Sequence, residues 1–363
     1  MQGFHKVLVV AFSVIPLSCT ENYQGPIAPP KDPTQQYVWS IDTIRYAPIP
    51  GGFVQTIMLD VWGSSDTAVY VVGHDYYSRG QMWKFNGVAW DRLILSANER
   101  PDGILSSAFS LSGLFGLAWN DVYAFGDIVG YDSKEPTKMI FMKLLLHYDG
   151  MSWSRISLTT PGILLQGTGS PGSIVIGGDR GEVYSFSQGS WSIDTISGEY
   201  PYGLPSVYPL GIYGEAVNAI TRLHVPSLQT ELLQLIRIKN DTTIVLDSTN
   251  STYPRWGTNT YWGTTSPNVY AVGTGGIDRF NGVSWSTLNG SNRFSAIEGV
   301  TEHDIYAVDF NGGVHHYDGT RWTLIHTLPI DRVFSADIAV FPNSLFIIMI
   351  SGDCTIVFRG VKK

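Results

Sequence analysis

The 363-residue chain carries eight histidines, two cysteines and 31 carboxylates with which to do acid–base, nucleophilic or metal chemistry. The histidines are His5, His74, His147, His224, His303, His315, His316 and His326. Only His315 and His316 are adjacent, and on a strand adjacent rings point to opposite faces, so they do not form a shared ligand pair. No HExxH helix, phosphate-binding glycine loop or G-x-S-x-G elbow is present. No metal site, cofactor or catalytic residue is therefore expected. Three carboxylates need separate treatment. Asp60, Glu298 and Asp337 fall on or near segments expected to line the axis of a circular fold, where they could meet as an acid/base pair. The plainer expectation, which the sequence favours, is that they are solvated lining or turn acids. Cys354 follows Gly352-Asp353, with no histidine nearby in sequence, and is expected in a turn between outer strands.

Cys19 stands at the end of a different kind of segment. His5 and Lys6 begin it, and Val7 to Leu17 form an apolar run too short to span a bilayer but suited to an export signal. Pro16-Leu17-Ser18-Cys19 resembles a bacterial lipobox. Ser18 and Cys19 match that pattern, and Pro16 replaces its usual branched apolar residue. The resemblance implies a signal peptide over residues 1–18, a lipid on Cys19 and an extracytoplasmic protein of the cell envelope, held at a bacterial membrane by that anchor alone. Residues 19–36 are polar and proline-rich and read as a tether. The alternatives for Cys19 are an ordinary residue of a cleaved signal, or a disulfide partner for Cys354.

Composition sets the class of the rest. Charged residues make up 15% of the chain and aromatics 13%, with 39 glycines, which suits an all-β protein with many turns. The net charge of -8 comes without any Lys/Arg block. Nucleic acid is excluded as a partner, because a binder must replace phosphate counterions with a basic footprint.

One pattern recurs along residues 37–363. NVYAVGTGGIDRFNGVSW (268–285) and DIYAVDFNGGVHHYDGTRW (304–322) show it most fully. A V-Y-A-V-G segment has the branched and aromatic residues of a strand, stopped by glycine. A second strand then enters an Asp-Gly or Asn-Gly turn, whose residues suit the positive φ of a two-residue hairpin. A tryptophan opens a third. An earlier strand ends in Trp62-Gly63, Tyr213-Gly214, Trp262-Gly263 or Glu298-Gly299. The tryptophan register is filled by Trp39, Trp90, Trp153, Trp191, Thr243, Trp285 and Trp322. The tyrosine register is filled by Tyr70, Tyr123, Ile174, Asn218, Tyr270, Tyr306 and Phe346. Seven units of four strands predict an all-β, seven-bladed β-propeller with four antiparallel strands per blade. Trp39 precedes every V-Y-A-V-G segment, and no tryptophan follows Phe346. Tyr37 to Ile44 is therefore expected to join the last blade beside Thr355 to Arg359 and close the ring. Thr230 to Lys239 has a helix-like cluster of leucines, but the repeat demands a strand there.

The repeat resembles kelch and related bacterial secreted propeller repeats. Gly177-Gly178 with Trp191 carries the likeness, as do Gly275-Gly276 with Trp285, and Gly312-Gly313 with Tyr317, Asp318 and Trp322. Thr243 departs from it. The resemblance implies a propeller and commonly a binding role, not one activity. The S-x-D-x-G-x-T-W turn of Asp-box sialidases is absent.

Loops between second and third strands share a face with the links between blades. In this chain they are the long ones, and they carry Tyr76, Tyr77, Tyr131, Tyr200, Tyr202, Tyr208, Tyr253 and Trp256. Such aromatics give contact area at low entropic cost. The expectation is a binding or scaffold module that recognises a protein or polysaccharide partner through this face. The alternative is a glycan-active hydrolase or lyase using the channel carboxylates.

Overall fold

The computed structural model describes residues 37–49, 52–76, 79–93, 95, 108–131, 139–158, 162–196, 203–213, 216–225, 230–239, 242–251, 259–263, 268–290, 292–330 and 336–363. Strand β1 (Tyr37–Ile44) comes first, then a short hairpin of β2 (Tyr46–Ile49) and β3 (Gly52–Val54). Blade 1 is β4 (Thr56–Ser65), β5 (Ala68–Asp75), β6 (Gly80–Phe85) and β7 (Trp90–Leu93). Blade 2 is β8 (Ala108–Ala118), β9 (Asp121–Tyr131), β10 (Met139–Tyr148) and β11 (Trp153–Ile156). Blade 3 is β12 (Leu164–Ser170), β13 (Ser173–Gly178), β14 (Glu182–Ser187) and β15 (Ser190–Thr195). Blade 4 is β16 (Ser206–Tyr213), β17 (Ala216–Val225), β18 (Thr230–Lys239) and β19 (Thr242–Ser251). Blade 5 is β20 (Thr260–Gly263), β21 (Val269–Gly273), β22 (Gly276–Phe280) and β23 (Trp285–Asn289). Blade 6 is β24 (Phe294–Thr301), β25 (Asp304–Asp309), β26 (Gly313–Tyr317) and β27 (Trp322–Thr327). Blade 7 is β28 (Ala336–Phe341), β29 (Ser344–Ser351), β30 (Cys354–Lys362) and, outermost, β1.

Blades 1 to 6 are antiparallel meanders and blade 7 is an antiparallel sheet completed by β1, so the predicted seven-bladed propeller is the fold. The ring closes as expected: Trp39 pairs with Gly360 and Ile41 with Phe358. Closure covers the edge that β30 would otherwise present to another chain. The leucine-rich segment at Thr230–Lys239 is strand β18.

The tryptophan register is structural. Trp90, Trp153, Trp191, Trp285 and Trp322 each lie opposite an aromatic on the third strand of the same blade, with ring centroids 5.3 or 5.4 Å apart. Each also packs on the preceding blade; Trp90 meets Phe346 of blade 7 edge-on at 6.2 Å. Burying one such ring contributes about 3 kcal/mol.

The tyrosine register also has a regular neighbour. Six of its seven positions lie opposite a cationic or ionisable third-strand residue: Lys84, His147, Arg237, Arg279, His316 and Arg359. His147 stacks on Tyr123 at 4.4 Å, and His316 packs on Tyr306 at 4.5 Å with the planes tilted by 31°. Their Nε2 atoms meet Asp121 at 2.8 Å and Asp304 at 2.7 Å. His315 turns the other way and meets Asp309 at 2.8 Å, as alternation requires. His315 and His316 are buried strand residues with carboxylate partners.

Three local expectations need correction. Asn86-Gly87 and its equivalents are not the central pair of their turns. The Asn86 side chain replaces a backbone acceptor, taking the N–H of Val88 and of Ala89 at 3.0 Å each, and Gly87 alone of the pair has positive φ, 97°. Tyr213 ends β16 opposite Ala216, and Gly211 lies opposite Asn218, because a bulge after Pro209 shifts the register. Cys354 is not a turn residue: it opens β30, fully buried in the core shared by blades 6 and 7.

Candidate functional site

The first strands of all seven blades surround a central cavity of about 690 Å³. Arg222 and Phe310, from the ends of second strands, also line it, so the cavity reaches the face on which second and third strands are joined.

Asp60, Glu298 and Asp337 all line this cavity. Asp60 and Asp337 occupy the same register in blades 1 and 7: Asp60 lies opposite Val72 and Asp337 opposite Ile348, each two residues past the tyrosine position. Each stitches its blade to the next. The Val61 N–H donates to Asp337 Oδ2 at 2.9 Å, and the Leu114 N–H donates to Asp60 Oδ2 at 2.7 Å. The bulge before Asp60 and the one before Gly113 are where the inner-strand ladder breaks, and N–H groups near such breaks turn to side chains. The two carboxyls also hydrogen-bond to each other. Two carboxylates so close cannot both ionise readily. Burial, foremost, pushes Asp60 up; burial and then the Asp60 charge push Asp337 well above the usual carboxylate range.

Glu298 is different. It sits opposite Tyr306, the register that Trp62, Phe115 and Trp262 fill opposite Tyr70, Tyr123 and Tyr270. Three rings and one carboxyl thus share a level of the cavity wall. Glu298 is enclosed by the surrounding blades with a half-buried opening into the cavity, and burial, then the Asp60 charge, raises its pKa well above the ordinary value. The three acids therefore line the channel, as one plain expectation had it, and they also converge there, which the sequence left open. The strands carrying them were legible, but not that bulges would turn Asp60 and Asp337 toward one seam.

The rings also pack. A Cβ on Gly116 would lie 2.3 Å from the Trp62 ring, and one on Gly167 would lie 2.2 Å from Phe115. The aromatic of one blade covers the glycine of the next, which fixes the ring on the wall. Arg222, a residue the sequence did not single out, reaches the cavity while its guanidinium binds Glu231 at 2.6 Å.

Of the predicted rim aromatics, Tyr76 follows β5 and is 71% exposed, its N–H bound to the Gln55 carbonyl at 3.0 Å. Tyr208 lies within β16, half-buried, in the electrostatic neighbourhood of Arg222; burial raises its hydroxyl pKa. Tyr131 is the last residue of β9. Tyr77, Tyr200, Tyr202, Tyr253 and Trp256 lie outside the described residues, as does Cys19. Among the described residues no group of three His, Cys, Asp or Glu could hold a metal ion, and no helix is long and apolar enough to cross a membrane.

Fold and site together define a closed seven-bladed β-propeller with an acidic, aromatic-walled central cavity. No family model and no curated protein matches the chain. Among solved structures it is similar to YCF48 bound to a D1 peptide, with 16% identity and a TM-score of 0.57 over 93% of this chain and 100% of that one. It is also similar to YCF48 from Cyanidioschyzon merolae, with 14% identity and a TM-score of 0.52 over 88% of this chain and 98% of that one. At these identities the likeness is one of fold.

Proposed function

We propose that this propeller is a binding or scaffold module that takes a protein partner on the face reached by its central cavity. The observation that carries the reading is that cavity, about 690 Å³ and lined by every blade. A rigid ring with a concave centre is the usual shape of a recognition site. A propeller of similar fold, YCF48, has been seen bound to a peptide. A polysaccharide is the second partner class, favoured by exposed tyrosine at the rim. We place the module outside the cytoplasm, in the cell envelope. The Cys19 Sγ can carry a lipid or pair with Cys354, not both, and either fate needs an exported chain.

A photo-crosslinking residue at Tyr76 tests the face, with Val283 as control; Val283 is 87% exposed in a turn at the opposite face. An adduct from position 76 and not from 283, in cells carrying the full chain, is the expected result. Equal labelling from both positions would defeat the reading.

A catalytic reading has one observation behind it, the protonated-leaning carboxyls at the cavity wall. Paired glycosidase acids stand about 5–9 Å apart to admit sugar or water. Asp60 and Asp337 hydrogen-bond directly, which leaves no such gap between them. A catalytic reading would have to use Glu298 with one of them, whereas the binding reading is supported by the cavity itself and by the peptide-bound propeller of similar fold.

A further inference from the structure

We propose that the central cavity receives a cationic side chain, lysine or arginine, projecting from an extended segment of the protein partner. This deepens the binding-module reading and rests on it. Glu298 is the receiving group. It lines the cavity at the level of Trp62, Phe115 and Trp262, and no hydrogen bond or ion pair to it occurs among the described residues. Every other charged side chain on the wall is engaged. Asp60 and Asp337 hold each other and the backbones of Leu114 and Val61, and Arg222 holds Glu231.

The ligand chemistry follows from this wall. An anion would meet three acids, and a neutral apolar group would leave Glu298 enclosed without a partner. A metal ion lacks the required set of donors among the described residues. An ammonium or guanidinium satisfies Glu298. A guanidinium can also donate to a second carboxyl oxygen of the Asp60–Asp337 pair. The cation arrives on a side chain while the segment carrying it stays on the face.

Binding must then expel protons. Burial, and then the charge of Asp60, push Glu298 and Asp337 toward their neutral forms, and a cation favours the charged forms. The other titratable groups facing the cavity region are Arg222 with Glu231, and the Tyr208 and Tyr261 hydroxyls, which burial pushes up, so neither tyrosine takes part near neutral pH.

The test is titration calorimetry of the full chain with N-acetyl-arginine methylamide and N-acetyl-lysine methylamide. The uncharged citrulline analogue and a neutral oligosaccharide serve as comparison arms. Affinity for the cations should rise between pH 5 and pH 8, with heats that depend on buffer ionisation as protons leave. Glu298→Gln should weaken it about tenfold or more without changing the melting temperature, since glutamine mimics the neutral acid. Asp337→Asn should weaken it less. Equal binding of citrulline, an unaffected Glu298→Gln variant, preference for the oligosaccharide, or no binding of either cation would each overturn the inference. A position-76 adduct with no cation binding would defeat it alone. Cation binding without a face-specific adduct would instead defeat the scaffold reading.

Discussion

Trp39 and His326 lie face to face, ring centroids 4.3 Å apart and planes 12° from parallel, joining the first strand of the described chain to the sixth blade. Both are buried, and among the described residues the His326 Nε2 has no hydrogen-bond partner. Burial pulls the His326 pKa down from 6.5 to about 4. The unfolded chain then takes up this proton first as pH falls. Stability is unaffected above about pH 6.5, declines between 6.5 and 4, and levels off below. The loss is of the order of 3 kcal/mol. Denaturant titrations at pH 7 and pH 4.5 should show it, and His326→Phe should remove most of the difference.

The Asp60–Asp337 pair has the opposite sign. Folded-state pKa values above the unfolded value of about 4 mean stability that is full in acid and is lost as pH rises through the raised values. Asp337→Asn keeps an acceptor for the Val61 N–H and a donor for Asp60 without the charge. It should raise stability at pH 8 by roughly 1 kcal/mol and flatten the acid-to-neutral slope. Asp337→Ala strands the Val61 N–H and should lower stability at every pH by about 1–3 kcal/mol. Melting curves at pH 5 and pH 8 separate these outcomes.

Lys143 is fully buried, with Glu182 at 2.9 Å and Asp179 at 3.8 Å, bridging blades 2 and 3. Lys143→Met leaves Glu182 without its cation and should cost about 3–5 kcal/mol. Adding Glu182→Gln should recover much of that, because the uncompensated charge, rather than the lost pair, causes most of the damage. A double-mutant cycle by chemical denaturation measures the coupling.

Gly116 tests whether the ring on the cavity wall is held by the next blade. A Cβ there would sit 2.3 Å from Trp62 Cη2, so Gly116→Val must push the indole aside. The cost should be about 1–3 kcal/mol, with a change in indole fluorescence. Gly172→Val, where added carbon meets nothing within 4 Å, bears its own strain at φ 82° but should leave that fluorescence unchanged.

The ring was legible because its parts repeat. V-Y-A-V-G and the tryptophan recur at fixed offsets, and the offset of Trp39 from the rest revealed the closing strand. Thr243 interrupted the series without breaking it, since its neighbours in β18 and β19 still pair. The cavity was legible only by half. Asp60 and Asp337 could be placed on inner strands, but their meeting depends on bulges and on blades 276 residues apart in sequence, the separation of the Val61–Asp337 hydrogen bond. Arg222 gave no signal, because it lies outside every recurring register. The carboxyl of Glu298 could be seen to replace a tryptophan at a W-G step, yet the rings beside it belong to other blades.

The seam between β1 and β30 sets a timetable. Strand β30 is made after all the strands of the first six blades, so β1 waits with bare amides and carbonyls until those have emerged. Pairing across that separation must overcome a large loop entropy before it is rewarded, which slows the final step. Until then the half-built ring offers a sticky margin to any neighbouring molecule, and a chain stopped short of Cys354 would keep it permanently.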